Sequence, residues 1–261
     1  MYPCHGHVPL HPRRTIKDYF MYSILIAIAL FCGLLSGPLS VRILNRMPDR
    51  SFCDYDETPT EIHRSPRFSC RRQGWGVGLF LGVVYVLLLV RFGLTLQWVF
   101  LCLHCLVLAM ISLSDLRFSI IPDELLIAAG VCALGAALCH VVAAPALGTA
   151  LVYVLGAVIG AGLILVLNLL GRLIYGKDAL GMGDLKLLAV CGIACGHTGI
   201  LIAALMGIFA AGIFFAVAMA LKRMKSDQFY PLGPFLVLGV CLTLMFRPVI
   251  DAAFQWYLSL L

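Results

Sequence analysis

Apolar runs long enough to cross a lipid bilayer, broken at short intervals by charged turns, constrain this chain more than any other feature. They fall at 21–41, 76–90, 95–113, 124–143, 147–170, 185–195, 200–221 and 234–246, with 251–261 as a short amphipathic end. A helix rises ~1.5 Å per residue, so ~20 apolar residues cross a hydrocarbon core ~30 Å thick. The stretch 185–221 is too long for one ordinary span, and Gly196-His197-Thr198-Gly199 offers a glycine-bounded turn that divides it in two. With 62% hydrophobic and 12% charged residues and a mean hydropathy of +1.00, no water-soluble class fits. The expectation is an all-α, polytopic membrane protein of about eight transmembrane helices. It divides into an N-terminal anchor helix and polar loop over 1–75 and a multi-span domain over 76–261.

The run 21–41 is longer than the apolar region of a signal peptide and lacks an A-x-A cleavage site, so it reads as a retained anchor. Before it lies a polar tail whose Cys4, His5, His7 and His11 have no regular zinc spacing and are interrupted by Pro3, Pro9 and Pro12. That pattern reads as a mobile tail rather than a metal site. The segment 42–73 carries seven arginines and five acids, and its arginine excess puts it in the cytoplasm by the positive-inside rule. Strict alternation then places the loops of Arg117, of Arg172, Lys177 and Lys186, and of Lys222, Arg223 and Lys225 on the same side. The net charge of +6 is spread between apolar runs rather than gathered in one basic patch, which excludes nucleic acid as the partner. Most of the eleven cysteines lie in or beside apolar segments, where they pack as small hydrophobes. Cys53 and Cys70 in the polar loop are far apart and form no C-x-x-C pair, so they read as two unpaired thiols and not, with His63, as a metal site.

Two acids fall at the same predicted face, Asp115 after the third run and Asp184 at the mouth of a later one. A charge placed within a membrane costs roughly 2.5–3.5 kcal/mol, so such acids are functional candidates. Two carboxyls that share a site repel, and one keeps its proton while the other stays ionised, which is the chemistry of an aspartic protease. Ordinary interfacial ion pairs, Asp115 with Arg117 and Asp184 with Lys186, are the alternative at this point, as are acids that merely solvate helix N-termini.

The surrounding residues carry a resemblance. Asp115-Leu116-Arg117-Phe118-Ser119-Ile120-Ile121-Pro122-Asp123 resembles the first motif of bacterial type IV prepilin peptidases, an aspartate separated by five residues from I-P-D. Gly181-Met182-Gly183-Asp184-Leu185-Lys186 resembles their G-x-G-D-x-K motif, and Tyr230-Pro231-Leu232-Gly233-Pro234-Phe235 looks like their P-x-G-P-F segment. The three matches occur in the family's order between Ser114 and Gly239. The resemblance implies a GxGD-type intramembrane aspartic protease with Asp115 and Asp184 as its catalytic pair and Gly181, Gly183, Lys186, Pro122 and Asp123 in support. It also implies a multi-pass protein of the bacterial inner membrane whose active site faces the cytoplasm. Its substrate would be a type IV prepilin or a type II secretion pseudopilin, cut between a short basic leader and an apolar helix, with membrane lipid as the other partner. Proteolysis of this kind needs no cofactor and no metal.

The N-terminal third departs from that pattern. Gly37, Arg46 and Pro48 fit the family's frame, but Ser40 and Val41 stand where an asparagine is expected, and two C-x-x-C pairs are missing from the loop. In the family this degenerate region is associated with N-methylation by S-adenosylmethionine, so the departures leave methyltransferase activity and its cofactor open without touching the protease. Pro122 reads as a helix boundary, and Asp123 and Glu124 as caps of the next helix before any substrate role. Gly156, Gly160 and Gly162 follow small-residue packing spacing. Asp178 lies outside the matched motif, and His140 and His197 fall on the side opposite the acids. A catalytically silent component of a pilus or secretion assembly and a polytopic transporter are the competing functions. Loss of a motif aspartate would mark the first, and paired broken helices in both halves the second.

Overall fold

The computed structural model describes residues 16–53, 60–176, 181–222 and 231–259. The tail cysteine and histidines, Lys177, Asp178, Arg223, Lys225 and Tyr230 lie outside them. Seven helices follow in order: α1 (Ile16–Arg46), α2 (Trp75–Phe92), α3 (Leu96–Phe118), α4 (Asp123–Ala143), α5 (Leu147–Tyr175), α6 (Met182–Ala220) and α7 (Gly233–Leu258). No β-strand occurs among the described residues. All seven are long and apolar enough to cross a membrane. Their connections are short where the turn chemistry is local. Gly93 takes φ 66° between α2 and α3, and Thr95 caps α3 by accepting a hydrogen bond from the Trp98 N–H at 3.2 Å.

At 39 residues α6 would measure ~58 Å as a straight rod, about twice the hydrocarbon thickness. It breaks at Gly196, where φ is 71° and ψ 173°, values that a side chain resists. A Cβ placed on Gly160 of α5 would lie 2.2 Å from the Leu188 carbonyl oxygen and 3.2 Å from the Ile200 side chain. Twelve helical residues separate Leu188 from Ile200, a rise of ~18 Å in an unbroken helix, so the chain doubles back. The first limb of α6 (182–195) and the second (197–220) therefore count as two crossings. Among the described residues the seven α-helices thus make eight passes, and the turn lies where the sequence placed it.

One expectation is corrected at the other end. The segment 251–261 was expected to stand apart from the last span, yet α7 continues through Pro248. Proline has no N–H for the carbonyl four residues back. Here the Arg91 guanidinium, from the end of α2, donates to that carbonyl, Leu244 O.

Lipid tails are as apolar as leucine, so spans associate through close van der Waals contact rather than hydrophobic burial. Small residues provide it at three interfaces. A Cβ on Gly33 would meet Gly82 Cα at 2.4 Å, and one on Gly37 the Gly78 nitrogen at 2.2 Å, joining α1 to α2. Gly156 lies against Gly192 and Gly160 against Leu188, joining α5 to the first limb of α6. Gly239 meets the Ala203 carbonyl and Gly207 the Phe235 carbonyl, joining the second limb to α7. Gly162 has open space beside it and plays no such part.

Candidate active site

Asp115 sits in the last turn of α3 and is 5% exposed. Ser119 closes that helix in the left-handed conformation, φ 53°, with its N–H donating to the Asp115 carbonyl at 2.8 Å. The Ser114 hydroxyl donates to the Ile120 carbonyl at 2.8 Å, which folds the chain back beneath the helix end. Pro122 then caps α4, as its missing N–H and fixed φ allow, and Asp123 and Glu124 fill the first turn.

Asp184 stands in the first turn of α6, preceded by an extended Gly181. The two motif segments dock on one another. A Cβ on Gly183 would lie 3.3 Å from the Ile121 side chain, which would have to give by a few tenths of an ångström. Lys186 Nζ reaches Asp123 Oδ1 at 2.7 Å. Neither of the ion pairs between sequence neighbours forms: the Arg117 guanidinium lies over the Phe68 and Phe118 rings, and the Asp115 carboxylate is held elsewhere.

That holding group is Gly233. Its N–H, at the start of α7, donates to Asp115 Oδ2 at 2.9 Å in a buried bond. Each acid thus sits at a helix N-terminus, Asp115 at that of α7 and Asp184 at that of α6, where the helix dipole favours negative charge. Gly233 belongs to the P-x-G-P-F segment, which signalled resemblance in the sequence but carried no role. The structure also brings to the site residues that the sequence reading left out of it. Asp115 and Asp184 border one cavity of about 810 Å³, together with Arg50, Ser51 and Cys53 from the polar loop and Glu124 from α4.

The loop reaches the cavity because one buried arginine organises it. Arg67, 1% exposed, donates to the Leu44 carbonyl at 2.8 Å and the Met47 carbonyl at 3.0 Å, pairs with Asp49 and lies over the Phe52 ring. Asn45 adds three bonds, accepting from the N–H groups of Arg67 and Phe68 and donating to the Phe68 carbonyl. Phe52 and Phe68 pack on Phe118 beside Asp115. Ser51 donates to Glu124 at 2.9 Å, tying the loop to α4. His63 Nδ1 accepts from the Thr60 N–H at 3.1 Å and caps a short turn. Among the described residues, no three His, Cys, Asp or Glu side chains gather to hold a metal. Among the described residues of the loop, Phe52, Arg67 and Phe68 are buried, and Arg50, Ser51 and Cys53 border the aspartate cavity.

Comparison with known proteins bears on the same region. Residues 99–217 match the type IV leader peptidase family. Two curated proteins of Aeromonas salmonicida, one from strain A449, are each named prepilin leader peptidase/N-methyltransferase and are 31% identical over 88 residues. The alignment covers 34% of this chain and 29% of each relative's length. No solved structure matches the chain. Arg50, Ser51, Cys53 and Gly233 lie outside the matched residues, whereas both aspartates lie within them. The similarity to the type IV leader peptidase family thus covers residues 99–217, the segment that carries both aspartates.

Proposed function

We propose that this chain is a membrane-embedded aspartic endopeptidase that removes the short basic leader from type IV prepilins or type II secretion pseudopilins. One observation carries the reading: Asp115 and Asp184, from two different spans, border a single cavity. The name of the Aeromonas relatives supports the same activity. A cavity of about 810 Å³ lies within the ordinary range for ligand sites, ~300–1,000 Å³.

The Gly233 N–H occupies one lone pair of Asp115 and fixes its orientation. A water between the carboxyls then attacks the scissile carbonyl carbon. The ionised aspartate takes a proton from the water, and its protonated partner gives one to the leaving amine as the C–N bond breaks. The proposed hydrolysis uses no metal and no S-adenosylmethionine. Methyl transfer stays outside the proposal.

The reaction is assigned to the cytoplasmic face of the bacterial inner membrane. The support is that Arg50 of the arginine-rich loop borders the aspartate cavity, and such loops stay in the cytoplasm. The test is leader removal from a co-expressed prepilin. Asp115→Asn and Asp184→Asn should each abolish processing while accumulating normally, because an amide can neither accept the water's proton nor share the pair's charge. Asp178→Asn should retain most activity. Substantial processing by either motif variant at normal abundance would return the choice to a silent assembly component or a transporter.

A further inference from the structure

A second cavity, of about 300 Å³, opens at the end of the bundle away from the aspartates. Gln97 on its wall and Asp115 lie eighteen residues apart on α3, ~27 Å along the axis. Two guanidiniums border it, Arg91 from the end of α2 and Arg247 from α7.

Their partners account for hydrogen bonds better than for charge. Arg91 Nη1 serves the Leu244 carbonyl and, at 3.4 Å, that of Thr243. Among the described residues no carboxylate pairs with Arg91. Arg247 Nε contacts both oxygens of Asp251 at 2.7 and 2.9 Å, and Nη2 donates to the Thr198 hydroxyl. Two cations and one carboxylate leave a formal charge of +1 at a membrane boundary, where an uncompensated charge is costly. The same wall carries Thr243, whose hydroxyl oxygen is buried without a hydrogen-bond partner, and Tyr153, whose hydroxyl meets His140 Nδ1 at 2.7 Å. A cationic recess with polar walls and a missing counter-charge is built for an anion rather than for an apolar chain.

We infer that this cavity binds a phosphate-type oxyanion between Arg91 and Arg247. Guanidinium forks match phosphate oxygens in geometry and remain charged at any physiological pH. The end of a spanning bundle is where lipid phosphates lie, so the oxyanion comes from an anionic headgroup or from free phosphate.

Native mass spectrometry of the full-length protein in detergent tests this, with short-chain phosphatidylglycerol, inorganic phosphate and diacylglycerol as probes. Saturable binding of phosphatidylglycerol over diacylglycerol is expected. Competition by phosphate would identify a free oxyanion site, and its failure a headgroup site. Arg91→Gln and Arg247→Gln should each weaken the binding at least about tenfold, since each removes a charge-assisted contact. Asp251→Asn should strengthen it severalfold by releasing Arg247 from its carboxylate, and this variant decides the matter if an arginine variant fails to accumulate. Equal affinity for phosphatidylglycerol and diacylglycerol with no phosphate bound, or an affinity unchanged or lowered by Asp251→Asn, would overturn the inference.

Discussion

Replacing Gly233 with alanine isolates the positioning of Asp115 from its chemistry. A Cβ built on Gly233 would lie 2.6 Å from Asp115 Oδ2 and 3.2 Å from its Cγ. Ordinary van der Waals contact begins near 3.4 Å, so the carboxylate must retreat by roughly 0.8 Å, and displacement on the ~1 Å scale can cost ~10²-fold in rate. The atom that yields is the end of a side chain, not backbone, so the fold absorbs the change. The backbone also permits alanine, because Gly233 is not among the glycines with positive φ. Gly233→Ala is therefore expected to cut kcat/KM for prepilin cleavage by ~10- to 10²-fold with unchanged accumulation and thermal stability. Gly239→Ala is the contrasting control. Its Cβ would strike the Ala203 carbonyl at 2.1 Å, so it should lose abundance before specific activity. The measurement is the initial rate on a purified prepilin, normalised to folded enzyme. Wild-type kcat/KM in Gly233→Ala would refute the role given to the Gly233 bond.

Other outcomes follow from the same geometry. Gly181→Ala should keep activity within about threefold, because Gly181 has φ −73° and a Cβ there would meet only Asp184 Oδ2 at 3.7 Å and the Gly183 nitrogen at 3.9 Å; a large loss in the cleavage assay would show that the glycine leaves room for substrate. Arg67→Ala should destabilise the loop by about 2–4 kcal/mol in thermal unfolding, since it strips partners from three main-chain carbonyls and from Asp49. Cys53→Ser with Cys70→Ser should leave prepilin processing nearly intact; lost processing together with zinc that disappears from the purified protein would contradict the absence of a metal role. Cysteine labelling should place the Gly196 turn on the side opposite the polar loop, and labelling from the same side would defeat the doubled-back α6.

Features set by local chemistry were legible in the sequence. The Gly196 break follows from a glycine pair inside an overlong apolar run, and the two aspartates follow from motifs whose spacing the structure closes through Ile121, Gly183, Asp123 and Lys186. Features that depend on distant partners were not. The continuation of α7 past Pro248 was not readable, because nothing near it in sequence reveals that Arg91, more than 150 residues earlier, supplies the missing donor. The polar loop reads as degenerate because it lacks paired cysteines, while its order comes from Arg67 and Asn45 reaching main-chain groups that no motif records. The choice between ion pairs and a shared site was open for the same reason. Charge spacing cannot show that Arg117 leans on aromatic rings or that Asp115 bonds a residue 118 positions away.

The doubling back of α6 bears on the thickness of the bundle near the carboxyls. Its first limb, 182–195, rises only ~21 Å, well short of a hydrocarbon core ~30 Å thick. Residues 187–195 carry no exposed position, so the shortfall is enclosed by the neighbouring helices instead of being met by thinning of the bilayer. Since Asp184 opens that limb, only ~18 Å of helix separates it from the Gly196 turn, so the carboxyl end of the limb lies at a thin part of the bundle.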